Sequence, residues 1–162
     1  GKNAHRNFFF LYLAQAVLAL IFSIPSFLTI ANPYSLGILD AVGFLIWSIA
    51  IAGEGIADAQ LNRFKTKAEN SGQTCTSGLW RYSRHPNYFF EWLYWVSFIP
   101  WAITYNSGWI SLCFPLIMLY LLFNLTGIPY TEKQALKSRG DQYSNYQKTT
   151  NKFFPGFPKN LK

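Results

Sequence analysis

Charged residues are scarce in this chain. Only 13% of its 162 residues are Asp, Glu, Lys or Arg, about half the share carried by an ordinary soluble domain. Too little charge is present to cover a water-exposed globule, so much of the surface is expected to face lipid. Acidic residues are the scarcer sign: seven Asp and Glu stand against 14 Lys and Arg, a net charge of +7. Cysteine is also sparse. Cys75 and Cys113 are far apart and match no C-x-x-C or metal-ligand spacing, so they are read as free thiols. No metal-ligand cluster is read in the sequence, and no metal site is expected. Repeats and low-complexity segments are absent. The chain begins with Gly1 and not Met. It is therefore expected to be the C-terminal part of a longer protein, and no signal peptide can be judged.

What the chain has instead is apolar and aromatic residues, 51% and 19% respectively. They gather in four stretches. Residues 8–30 hold no charge and are long enough to cross about 30 Å of hydrocarbon as a helix. Residues 36–56 are apolar with Asp40 near one end and Glu54 near the other. Residues 88–104 are aromatic-rich and contain Glu91, and residues 109–127 are apolar throughout. Asn32-Pro33-Tyr34-Ser35 and Asn106-Ser107-Gly108 are turn signals that make two helical hairpins. The expected fold is all-α and polytopic in a membrane, with about four transmembrane helices and a polar C-terminal tail helix. Residues 1–162 are expected to form one membrane-embedded domain.

A surplus of positive charge suits nucleic acid or an anionic membrane surface, and its placement selects the membrane. Lys2 and Arg6 precede the first stretch. Arg63, Lys65, Lys67, Arg81 and Arg84 lie between the second and third, and the other seven follow the fourth. Neither hairpin turn holds any. Four crossings put every basic segment on one side, which the positive-inside rule names cytoplasmic. The expected partners are membrane lipids and a lipid-like small molecule, and nucleic acid is not among them.

Three groups of polar residues then need a reason. Glu54, Asp58, Asn62 and Lys65 are spaced four, four and three apart and form one stripe on a helix. The stripe is either the solvated face of a helix leaving the membrane or the wall of a cavity able to hold ribose and phosphate. Arg84, His85 and Asn87 crowd a helix start, with Pro86 at its first position. Such a start attracts anions, whether the phosphates of lipid, met by Arg81 and Arg84, or those of a bound ligand. Glu91 follows Asn87 by one helical turn. A carboxyl group in a span is costly and usually faces a cavity or a partner, where it can serve as a proton donor. In the tail, Tyr130, Glu132, Ser138-Arg139-Gly140-Asp141, Tyr143 and Tyr146 are too polar to span. They suit a surface or reentrant helix.

Three blocks resemble the steroid 5-alpha-reductase C-terminal family, in its bacterial branch of uncharacterised membrane proteins. They are the segment from Glu54 to Lys65, the segment Gly78-Leu79-Trp80-Arg81-Tyr82-Ser83-Arg84-His85-Pro86-Asn87-Tyr88-Phe89-Phe90-Glu91-Trp92, and Tyr143 to Thr150 with Phe154-Pro155 behind it. The resemblance implies a multi-helix fold shared with sterol C=C reductases and isoprenylcysteine carboxyl methyltransferases. It implies an NAD(P)H-dependent oxidoreductase that reduces a carbonyl-conjugated C=C bond in a lipid or steroid-like substrate, with NADPH as cofactor. Carried over by position, Glu54, Asp58, Asn62 and Lys65 would line the cofactor pocket. Trp80 would lie against it, and Arg84, His85 and Asn87 would contact phosphate, ribose or nicotinamide. Tyr146 would stand near the cofactor and Glu91 near the substrate as the catalytic acid. Phe90 departs from the family's glycine at its position. The alternative the resemblance leaves is a membrane methyltransferase using S-adenosylmethionine, whose Arg-His-Pro-x-Tyr motif matches Arg84 to Tyr88. Those enzymes carry a second acidic residue where this chain has Trp92, which favours the reductase.

The sidedness is open to direct measurement. In full-length protein with Cys75 and Cys113 replaced by Ser, Ser35→Cys and Ser107→Cys are expected to react with an impermeant thiol reagent only from the non-cytoplasmic side. Labelling of either from the cytoplasm would overturn the topology.

Overall fold

The computed structural model describes residues 4–33, 35–125 and 127–160. Lys2, Lys162 and parts of the 32–35 turn and of the fourth apolar stretch lie outside the described residues. Among these residues five α-helices follow one another: α1 Ala4–Ile30, α2 Ile38–Lys65, α3 Pro86–Ala102, α4 Cys113–Tyr120 and α5 Ile128–Thr149. Short 3₁₀ turns at Ala68–Asn70, Gly78–Arg81 and Gly108–Leu112 and a π-helical turn at Leu121–Leu125 join them. No strand occurs among the described residues, so the all-α class holds.

Among the described residues, three helical stretches are long and apolar enough to cross a membrane: Ala4–Ile30, Ile38–Lys65 and the run Gly108–Thr149. This differs from the expected four. Helix α3 has 17 residues, about 25 Å of rise, short of the hydrocarbon thickness of about 30 Å. The expected fourth span is also not one regular helix. It passes from a 3₁₀ turn through α4 into the π-helical turn. The apolar part of that run ends near Leu125, because α5 carries Glu132, Lys133, Lys137, Arg139, Asp141 and Lys148.

Local chemistry sets the helix ends. The Asp40 carboxylate accepts the Gly37 backbone N–H at 2.8 Å and ties down the start of α2. Arg63 and Lys65 lie in its last turn, where the helix dipole favours cations. Pro86 opens α3, where its missing N–H has no partner to lose.

The largest helix interface joins α2 and α3. The face α2 buries is a stripe of small residues, Gly43, Ala50, Gly53 and Ala57, at spacings that share one side of a helix. Bulky rings from elsewhere in the chain fill it. A methyl group on Gly43 would collide with the Trp101 indole, and one on Gly53 with the Phe90 ring. Indole N–H groups fix both ends of the face. Trp101 Nε1 donates to the Asp40 carbonyl at 3.0 Å, and Trp80 Nε1 donates to the Ala57 carbonyl at 2.9 Å. Close approach over small residues is how helices associate where lipid removes the hydrophobic drive. Phe90 is accommodated because the glycine it needs is supplied across the interface, by Gly53. Helix α1 leans on α3 and α4 through Phe22, whose ring lies 4.8 Å from that of Trp95 and 6.0 Å from that of Phe114. Most of its other apolar side chains are bare, as lipid-facing residues are.

Candidate functional site

The segment from Trp80 to Tyr88 crosses from the end of a 3₁₀ turn into α3, and α5 is fastened across it. Arg84 is buried, and its guanidinium is committed. Nε donates to Glu132 Oε1 at 2.7 Å, Nη2 lies 2.6 Å from the same oxygen, and Nη1 donates to the Gln147 and Thr150 carbonyls at 2.8 and 3.0 Å. His85 Nε2 is 3.4 Å from Glu132 Oε1, and Gln147 Nε2 donates to Glu132 Oε2 at 3.2 Å. Glu132 thus gathers three side chains from two parts of the chain. Burial alone would push its carboxyl up. The hydrogen bond from His85 and the charge and hydrogen bonds of Arg84 outweigh that and hold it below the usual carboxylate range.

A second set of bonds straps the tail under the same segment. Ser83 is fully buried and its hydroxyl donates to the Phe153 carbonyl at 2.7 Å, while the backbone N–H of Arg84 donates to Asn151 at 2.9 Å. Gly156 N–H donates to the Tyr82 carbonyl at 2.9 Å. The Tyr146 hydroxyl meets the carbonyls of Trp80 and Ser83. Burial raises the phenol groups of Tyr146 and Tyr143, the latter to about 12, so both are protonated donors at neutral pH.

Between α2, this segment and α5 lies a cavity of about 560 Å³, within the range of small-molecule and cofactor sites. Lys65, Trp80, Arg84, His85, Asn87 and Tyr146, six of the ten residues singled out in the sequence, line it. Its lining includes Lys65, Arg84 and Arg139 and no carboxylate. Arg84 is neutralised by Glu132. Lys65 and Arg139 take part in no ion pair among the described residues. Asn87 Oδ1 is shielded from solvent with no hydrogen-bond partner, an acceptor left without a donor.

The other four residues lie elsewhere. Glu54, Asp58 and Glu91 are close enough to one another for their charges to interact, and Glu91 and Asp58 also act on Tyr88. Tyr88 belongs to the cavity wall, and its ring stacks on that of His85 at 5.4 Å and 7°. The acidic group therefore sits beside the cavity, next to Tyr88, and not in its lining. Asn62 is exposed and outside the lining.

Several wall residues carry no site role in the sequence reading, Ser138 and Arg139 of the polar tail among them. Thr131, Gln134, Ala135, Ser138 and Arg139 line the cavity from α5. Their spacing of three, four, seven and eight from Thr131 is a helical face, legible once the tail is taken as one helix. That helix breaks at Gly140, whose φ of +51° lies in the region that favours glycine. Beyond the break, Tyr143 and Tyr146 return to the wall. Thr74 and Cys75 enter from the α2–α3 connection, which is held to α5 by Thr74 N–H donating to Gln142 Oε1 at 3.0 Å. No local pattern marks these two or Glu132, whose partner is 48 residues away.

Breaking a buried ion pair from one side costs about 3–5 kcal/mol, so Glu132→Gln is expected to lower the melting temperature clearly at neutral pH. The group's pKa is depressed by folding. Its contribution is thus complete above the unfolded value of about 4.3 and is lost as pH falls through the folded one. The gap in melting temperature between native protein and Glu132→Gln should accordingly close on acidification below about 4.3. A gap constant from pH 7 to 3 would show that the carboxylate is not the group responsible.

Among proteins of known character, one stretch is similar to the probable O-methyltransferase ustE of Ustilaginoidea virens. The match is 37% identical over 60 residues, which is 37% of this chain and 19% of that protein. No solved structure matches. The family described as "Protein of unknown function (DUF1295)" matches residues 1–150, nearly the whole chain. The chain belongs to that family, which is steroid 5-alpha-reductase-like.

Proposed function

We propose that this chain is the cofactor-binding part of a membrane enzyme that uses NADPH to reduce a carbonyl-conjugated C=C bond in a lipid-like substrate. The observation that carries the reading is the charge of the cavity: two unpaired cations, Lys65 and Arg139, and no carboxylate in the wall. Such a wall suits the phosphates of a nucleotide. S-adenosylmethionine carries a sulfonium and an ammonium group, and positive charge is disfavoured there. The donor set fits in a second respect. Asn87 Oδ1 needs an N–H donor, and both the adenine and the carboxamide of NADPH offer one.

In this reading Lys65 and Arg139 hold phosphate, Asn87 accepts from the cofactor, and Trp80 and Tyr88 supply ring faces along the wall. When bound, the cofactor supplies a hydride. Glu91, beside Tyr88, donates the proton that completes the reduction, with Glu54 and Asp58 next to it. Arg84 and Glu132 act on the site indirectly, by holding α5 in place. In this reading α3 and α4 enter the membrane and return as a pair, which keeps the basic segments and the cavity together on the cytoplasmic side.

Methyl transfer from S-adenosylmethionine is the second reading. It is favoured by the printed name of the Ustilaginoidea virens relative and by the acidic group near the cavity, which could meet a cationic ligand.

Titration of full-length protein with the two cofactors separates these readings. NADPH is expected to bind and S-adenosylmethionine not to. Lys65→Ala and Arg139→Ala should each weaken NADPH by about 1.5–3 kcal/mol, the worth of a charged hydrogen bond. Binding of S-adenosylmethionine alone would move the assignment to methyl transfer. A separate measurement addresses Glu91. Glu91→Gln keeps the shape and removes the proton, so it should leave NADPH affinity intact while slowing turnover of an enone lipid at least about tenfold. Turnover at the native rate would leave Glu91 with a structural role.

A further inference from the structure

The turn at Gly78–Arg81 faces two separate places. Trp80 lines the cavity described above, whereas Leu79 and Arg81 line a groove of about 560 Å³ on which nothing in the proposed reaction depends. The groove is polarised along its length. At one end it is apolar, with Ile49, Ala52 and Ile56 from α2 and Phe90 from α3. At the other end stand Gln60, Arg81 and Tyr82. Gln60 is engaged, since its Oε1 accepts the Leu79 N–H at 2.8 Å. Arg81 is exposed and takes part in no ion pair among the described residues. Arg63 is likewise exposed and unpaired there. It follows Ile56 by seven residues and Gln60 by three, which sets it on the same helix face one turn further out.

The gradient runs in the direction the membrane does. Ile49 and Ile56 belong to the second apolar stretch and are half bare, at 49% and 51% exposed. The arginines lie just past the point where that stretch ends. Ala52 lies low between Ile49 and Ile56, and the Phe90 ring packed over Gly53 stands at their side, so the groove is shallow and open along its length. The structure also separates two arginines that the sequence presents as equals. Arg84 is buried and bound to Glu132, which leaves Arg81 as the one of the pair able to meet a phosphate.

We propose that this groove seats one anionic phospholipid, its phosphate held by Arg81 and Arg63 and one acyl chain lying along Ile49, Ala52 and Ile56 against Phe90. A head group with net negative charge fits two cations without a carboxylate beside them. A choline head brings a positive charge to the same place and is disfavoured. The lipid would also brace the turn that carries Trp80, because Gln60 ties that turn to the wall of the groove.

The test is native mass spectrometry of the full-length protein in neutral detergent, titrated with dioleoyl phosphatidylglycerol and dioleoyl phosphatidylcholine. One phosphatidylglycerol per chain is expected to be retained, with at least about tenfold preference over phosphatidylcholine. Arg63→Gln with Arg81→Gln should abolish the preference and leave retention of phosphatidylcholine as it was. Both side chains are exposed, so an unchanged melting temperature is expected to accompany the loss. Ala52→Phe, which fills the floor, should reduce retention of both lipids. Equal retention of the two lipids by the native protein would mean ordinary boundary lipid only and would overturn the proposal. So would an undiminished preference in the double variant, or undiminished retention in Ala52→Phe.

Discussion

The buried contact between Arg84 and Glu132 is the point on which the site depends. It joins residues 48 apart in the chain, one at the start of α3 and one in the first turns of α5. Removing two charges from water is costly, and an apolar pair of the same size would often be as stable. Here the cost is offset by a nearly complete set of partners. Arg84 reaches two carbonyls besides the carboxylate, and Glu132 reaches His85 and Gln147 besides the guanidinium. Its direct structural consequence is geometric. Because those bonds hold at defined distances, the face of α5 bearing Thr131, Ser138 and Arg139 stands opposite the end of α2 bearing Leu61 and Lys65. The cavity is the space left between them.

A polar assembly of this kind needs a firm base, and the α2–α3 interface supplies it. Small residues on α2 admit the rings of Phe90 and Trp101, and indole N–H groups of Trp80 and Trp101 bind α2 carbonyls that would otherwise point only along the helix. Packing of this sort does not require water to drive it. It can therefore hold inside a bilayer and reach to its edge, where the polar residues begin.

Charge is divided between two places. Cations without partners line the cavity, and three carboxyl groups gather just outside it, with Tyr88 touching both regions. The reduction proposed above would need an anionic cofactor and a proton source kept apart. The carboxyl groups would repel phosphate if they stood in the wall, and they stand next to it instead.

Much of the fold was legible in the residues alone. Apolar runs of 20 or so residues make helices that suit a membrane, Pro86 marks a helix start, and spacing sets Glu54 and Asp58 on one helix face and Asn87 and Glu91 on another. These are local or periodic properties, decided by which residue follows which. The broken fourth stretch was not, because a 3₁₀ or π turn depends on what packs against it. The same holds for the cavity. Arg81 and Arg84 sit three apart in one motif, equally basic and equally placed for phosphate. Only the tertiary structure decided that one is clamped and the other free, since that depends on Glu132 arriving from a distant helix. Sequence determined where polar groups could be afforded; long-range contact determined which of them were left without a partner, and a group can offer a ligand only the bonds its neighbours have not already taken.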